Sequence, residues 1–106
     1  MNRHGDRFLR RILGPEEQAA LVGRHDRAQF VAGRFAAKEA AIKAMADILA
    51  VRPPYPHIQI VNDPGGRPVY RFHSSLQPNL DSFACHLSIS HEKSMAAAVA
   101  VFTEDV

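Results

Sequence analysis

Apolar and polar positions change their period near the middle of the chain. From about Asp26 to Ala50 there is no proline and a single glycine, alanine is frequent, and Val31, Phe35, Ile42, Met45 and Leu49 recur at helical spacing. That pattern predicts one long helix whose apolar stripe faces a core. Lys38 falls near the middle of this stripe, Glu39 on its edge, and Lys43 one turn further on. Upstream, a helix is predicted from about Asp6 to Leu13. Gly14-Pro15 ends it and opens another, with proline in the first turn and Glu16-Glu17 at the positive end of the dipole. This second helix is expected to stop near Gly23. Arg52-Pro53-Pro54-Tyr55-Pro56 cannot continue a helix and predicts an extended connector.

Beyond the connector the period becomes two. His57 to Val61 and Val69 to His73 alternate like strands, and Asn62-Asp63-Pro64-Gly65-Gly66-Arg67-Pro68 between them has the chemistry of a turn, so a hairpin is predicted. Ser74 to Ser82 predicts a loop or short irregular helix. Ala84 to Ser90 and Ser94 to Phe102 predict two more strands, joined by His91-Glu92-Lys93. Helices first and hairpins after them predict an α+β fold, with the long helix packed on a small antiparallel sheet in a single domain.

Composition adds few constraints. Of 106 residues, 46% are apolar and 23% charged, as in an ordinary globular chain. A core of this size would gain from oligomerisation. The single cysteine, Cys85, excludes an internal disulfide framework and fits a reducing compartment. The cytoplasm is therefore expected, or the mitochondrial matrix in a eukaryote. No apolar run is long enough to cross a bilayer and no signal-peptide core is present, so no membrane role is expected. Net charge is only +2, yet Arg3, Arg7, Arg10, Arg11, Arg24 and Arg27 all precede residue 30. Arg7, Arg10 and Arg11 alternate with Phe8, Leu9, Ile12 and Leu13, which describes an amphipathic helix with a basic outer face suited to an acidic partner or phosphates. Nucleic-acid binding is not expected, because exposed aromatics do not interleave with these arginines and no nucleic-acid motif is visible.

One constellation carries chemistry. Glu39 and Lys43 come from the long helix, while Ser88, Ser90, His91 and Lys93 lie at the end of the third strand and in its turn. Packing the sheet on the helix brings these two groups toward each other. A carboxylate suits Mg²⁺, which takes few protein ligands and completes its shell with phosphate and water. Lysine and histidine suit phosphate oxygens. The plainer alternatives are a Glu39–Lys43 pair worth a few tenths of a kcal/mol, Lys38 snorkelling from the core edge, and His91 as a turn residue. Without an HExxH, a Cys–His set or a Walker loop, neither a zinc enzyme nor a P-loop ATPase is expected.

The segment Phe35-Ala36-Ala37-Lys38-Glu39-Ala40-Ala41-Ile42-Lys43 resembles the F/W-x-x-K-E-[AS]-x-x-K signature of the 4′-phosphopantetheinyl transferases. Leu87-Ser88-Ile89-Ser90-His91 resembles their second block, S-[IV]-[ST]-H, and an Ala- and Val-rich strand follows it. Arg7 to Leu13 before Pro15-Glu16-Glu17, and the N-D-x-x-G-x-P hairpin at Asn62 to Pro68, are similar to the small holo-acyl-carrier-protein synthase subclass. The blocks cover nearly the whole chain in order.

This resemblance implies transfer of the phosphopantetheine arm of coenzyme A to a serine of an acyl carrier protein, releasing adenosine 3′,5′-bisphosphate, as in fatty acid biosynthesis. It implies Glu39 as the Mg²⁺ ligand and Lys43 and His91 as catalytic groups on the phosphates. Arg34, Lys38, Ser90 and Lys93 would complete the coenzyme contacts. Arg7, Arg10 and Arg11 would meet the carrier protein, and a homotrimer would build sites between subunits. The base for the serine proton is left open between Glu39 and metal-bound water. Two departures stand out. The family's opening G-x-D strand, whose Asp is a second metal ligand, has no counterpart in the sequence, and Asp6 is no substitute because it immediately precedes the first helix. A weak catalyst is therefore expected. The family's Gly-rich turn after the long helix is replaced by Asp47 to Pro54. The alternative reading is a non-catalytic module that binds carrier protein or coenzyme A and has lost the complete metal site.

Overall fold

The computed structural model describes residues 3–92 and 94–104. Helices α1 (Arg3–Ile12) and α2 (Pro15–Leu21) lead into α3 (Arg27–Ala44). Strands β1 (Ile58–Asn62) and β2 (Pro68–Phe72) form one antiparallel hairpin; a 3-10 turn and the short α4 (Gln77–Leu80) follow; β3 (Phe83–His91) and β4 (Ala96–Glu104) form a second hairpin. The α+β expectation is met, and α3 lies chiefly against β4, with β3 and β1 beside it. At the first turn Gly66 has φ +87° and its N–H donates to Asp63 O at 2.8 Å, a backbone state that favours glycine.

Three local expectations change. The long helix ends at Ala44 rather than Ala50: Ile48 and Leu49 donate back to Met45 O and pack on the core around Met45. Asp47 also falls where a carboxylate opposes the negative end of the helix. The connector is not wholly extended, since Tyr55–His57 form a single 3-10 turn. The buried face of α3 is Phe30, Gly33, Ala37, Lys38 and Ala41, while Phe35 from the predicted stripe is exposed. Gly33, Ala37 and Ala41 on that face let the hairpins approach closely, and the Tyr70 hydroxyl donates to Ala37 O at 2.6 Å.

Two apolar clusters hold these elements. Ile12, Leu13, Leu21 and Phe30 pack between α1, α2 and α3, with Leu9, Val31 and Tyr55 against them. Ala41, Met45, Ile58 and Leu80 join α3 to the first hairpin, flanked by Tyr70, Phe72 and Phe102. Phe72 on β2 is half-buried against this cluster.

Between the clusters lies a buried ion pair. Lys38 Nζ is 2.6 Å from Glu17 Oε1, and both side chains are fully buried. The ammonium also donates to Tyr55 O at 3.1 Å and to Ile58 O, which uses its three donors. Glu17 accepts from Gly14 N and Ile60 N, each at 3.0 Å. Burial lowers the Lys38 pKa, with Glu17 opposing the shift. Lys38 is therefore a strut joining α2, α3 and β1. The coenzyme role implied for it is corrected, because no face of the ammonium is open to a ligand.

Candidate active site

Gly33 of α3, two residues before the helix motif, meets the end of β3. A β-carbon built there would lie 2.7 Å from the His91 ring and 3.6 Å from Ile89 Cγ2. Glycine on α3 thus lets the end of β3 come down onto the helix, and any side chain would push His91 away. A cleft of about 510 Å³ opens beside this contact, with Asp26, Arg27, His91, Glu92 and Met95 among its walls. Alternation along β3 turns Leu87 and Ile89 inward and leaves Ser88, Ser90 and His91 exposed.

Glu39 lies six residues along α3 from Gly33, which is about 9 Å along the axis. Its side chain is one-third exposed. The Tyr55 hydroxyl donates to Glu39 Oε1, and Arg52 Nη2 lies 3.3 Å from the same oxygen. Donation to Glu39 holds the Tyr55 hydroxyl above its ordinary pKa, so it remains a donor at neutral pH. The expected Glu39–Lys43 pair is not what forms. Lys43 is exposed on the same side of the helix one turn later, and its ammonium makes no ion pair among the described residues.

Arg34 is half-buried, with its guanidinium carbon 4.2 Å from the centre of the Phe30 ring. Its Nε is buried without a hydrogen-bond partner, and burial lowers its pKa. An orphaned guanidinium donor is what an anionic oxygen would satisfy. Lys93 lies outside the described residues. Arg7, Arg10 and Arg11 are all exposed on α1. Beside α1 an apolar groove of about 420 Å³ is lined by Phe8, Leu9, Leu21, Val31 and Phe35.

The motifs did not point to Tyr55, Arg52 or Gly33. The prolines around Tyr55 are a usable signal, since they restrict the backbone that carries it. Among the described residues no group of three or more His, Cys, Asp or Glu converges on one point. A cation at Glu39 would hence need oxygens from its substrate, which fits Mg²⁺ on a diphosphate and not a caged structural metal.

Comparison with known proteins gives one consistent result. The family model for the 4′-phosphopantetheinyl transferase superfamily matches residues 1–101. The holo-[acyl-carrier-protein] synthase of Bordetella pertussis is 44% identical, over 93% of this chain and 69% of its own length. That of an Azoarcus species is 40% identical, over 95% of this chain and 82% of its own length. Among solved structures, the Neisseria meningitidis holo-[acyl-carrier-protein] synthase superposes with a TM-score of 0.84 at 30% identity, covering 94% of this chain and 82% of that one. The Helicobacter pylori synthase, solved in complex with coenzyme A, superposes with a TM-score of 0.79 at 28% identity, covering 96% and 86%. Among the described residues, no helix is long and apolar enough to cross a membrane.

Proposed function

This chain belongs to the 4′-phosphopantetheinyl transferase superfamily, and on that premise we propose that it transfers 4′-phosphopantetheine from coenzyme A to a serine of an acyl carrier protein. The observation that carries the reading is the contact of His91 with Gly33, which puts the strand-end motif on the helix bearing Glu39 and Lys43. The product keeps the phosphate next to pantetheine. Serine oxygen must therefore bond to that phosphorus, losing its proton to Glu39 or to water, while the bond to adenosine 3′,5′-bisphosphate breaks.

Glu39 would hold Mg²⁺, which when bound neutralises charge on the diphosphate. Lys43 adds a point charge on the same face of α3, and an ammonium there stabilises the negative oxygens as the bond to the leaving group lengthens. His91, Ser90 and Arg34 supply donors for the coenzyme's phosphates. A cytoplasmic setting suits the free thiol of Cys85.

The carrier protein would dock on α1. Its exposed arginines share the helix with Phe8 and Leu9, which line the apolar groove, and that combination suits an acidic helix with an apolar seam. Arg11→Glu should slow association with carrier protein about tenfold at low salt, and the deficit should shrink as salt screens the encounter. Coenzyme affinity, measured by calorimetry, should not change. Equal loss of both would make α1 a purely structural element.

A homotrimer is part of the same proposal. Val99 and Val101, on the outer face of β4, are 62% and 45% exposed, which is apolar surface that a second chain would cover. Light scattering should give three times the monomer mass with coenzyme present. A monomer mass at working concentration would count against shared sites.

A further inference from the structure

Glu39 already has a cation beside it. Arg52 Nη2 is 3.3 Å from Glu39 Oε1 and 2.6 Å from the Tyr55 hydroxyl, which itself donates to that carboxylate. The guanidinium carbon also lies 4.9 Å from the centre of the Tyr55 ring. Tyr55 is fixed from behind: its carbonyl accepts from buried Lys38, and its ring packs on Phe35 with centroids 5.4 Å apart. Pro53 and Pro54 restrict the backbone that carries Arg52. The Arg52 side chain is 58% exposed, so it can swing into solvent without breaking the core.

We propose that Arg52 is a tethered competitor for the divalent cation at Glu39, and that it sets the cation concentration at which the site loads. The proposal rests on the reading of Glu39 as a metal-holding residue. A guanidinium and a divalent cation repel each other when both approach one carboxylate, so loading the site requires Arg52 to leave Glu39. An exposed pair of this kind holds weakly. It attenuates loading about two- to fivefold and does not block it. The tether lies in the irregular segment between α3 and the 3-10 turn at Tyr55–His57.

The test is Mn²⁺ uptake, followed by the loss of the free-ion paramagnetic resonance signal, on the full chain with saturating coenzyme A. Coenzyme alone serves as background. Arg52→Gln should tighten uptake two- to fivefold, and Glu39→Gln should remove the protein-dependent part. Arg71→Gln deletes one positive charge from an ion pair with Glu16 that does not touch Glu39, and it should change nothing. If Arg52→Gln leaves uptake unchanged or weaker while Glu39→Gln removes it, the competitor role is wrong and the metal role of Glu39 stands. If Glu39→Gln retains full uptake, the metal reading falls and the competitor falls with it. Equal tightening in Arg71→Gln would assign the effect to net charge and overturn the proposal.

Discussion

Lys38→Met is expected to lower stability by about 3–5 kcal/mol, because it leaves the buried Glu17 carboxylate without its counter-charge. In a domain of this size such a loss moves the melting temperature down by roughly 15–30 °C. The ammonium meets Glu17, Tyr55 O and Ile58 O, so α2 and the start of β1 should loosen together. Adding Glu17→Leu to Lys38→Met removes the orphaned charge and should recover part of the loss. Recovery stays incomplete because Gly14 N and Ile60 N then lose their acceptor. Thermal unfolding by circular dichroism checks both variants. A Lys38→Met chain that melts like the parent would mean the pair contributes nothing to the fold.

Glu39→Gln should do the reverse, sparing the fold and stopping the chemistry. Its partners Arg52 and Tyr55 form a partly exposed cluster worth at most about 1 kcal/mol. Gln still offers Tyr55 an acceptor, so the melting temperature should move little. A neutral amide, however, holds Mg²⁺ poorly, and the turnover number should fall about 10²–10³-fold. Adjacent residues in one motif would thus separate into a strut and a site residue, which a scan of melting temperature against turnover distinguishes directly.

The order of elements was legible because their periods differ. Alanine-rich helical spacing, the Asn62–Pro68 turn and the alternation of β3 and β4 each follow from local preference. The face of α3 was not legible in the same way. Hydrophobicity put Phe35 inside, whereas close approach of the hairpins selected glycine and alanine, and the ion pair with Glu17 holds Lys38 inside. Nothing local to Lys38 reveals that its partner is Glu17, which comes from another helix 21 residues earlier. The site was half legible. Motif spacing named Glu39, Lys43 and His91, and the fold brings His91 onto α3 through Gly33. Arg52 and Tyr55 reach Glu39 only because the chain reverses after Met45, a tertiary event without a periodic signature.

The most direct test is mass spectrometry of an apo acyl carrier protein incubated with this chain, coenzyme A and Mg²⁺, alongside Glu39→Gln under the same conditions. On this mechanism the parent chain adds one phosphopantetheine to the carrier serine, and the Glu39→Gln chain, folded and still melting normally, adds almost none. A carrier left unmodified by the parent chain, or modified at the same rate by both, would contradict it.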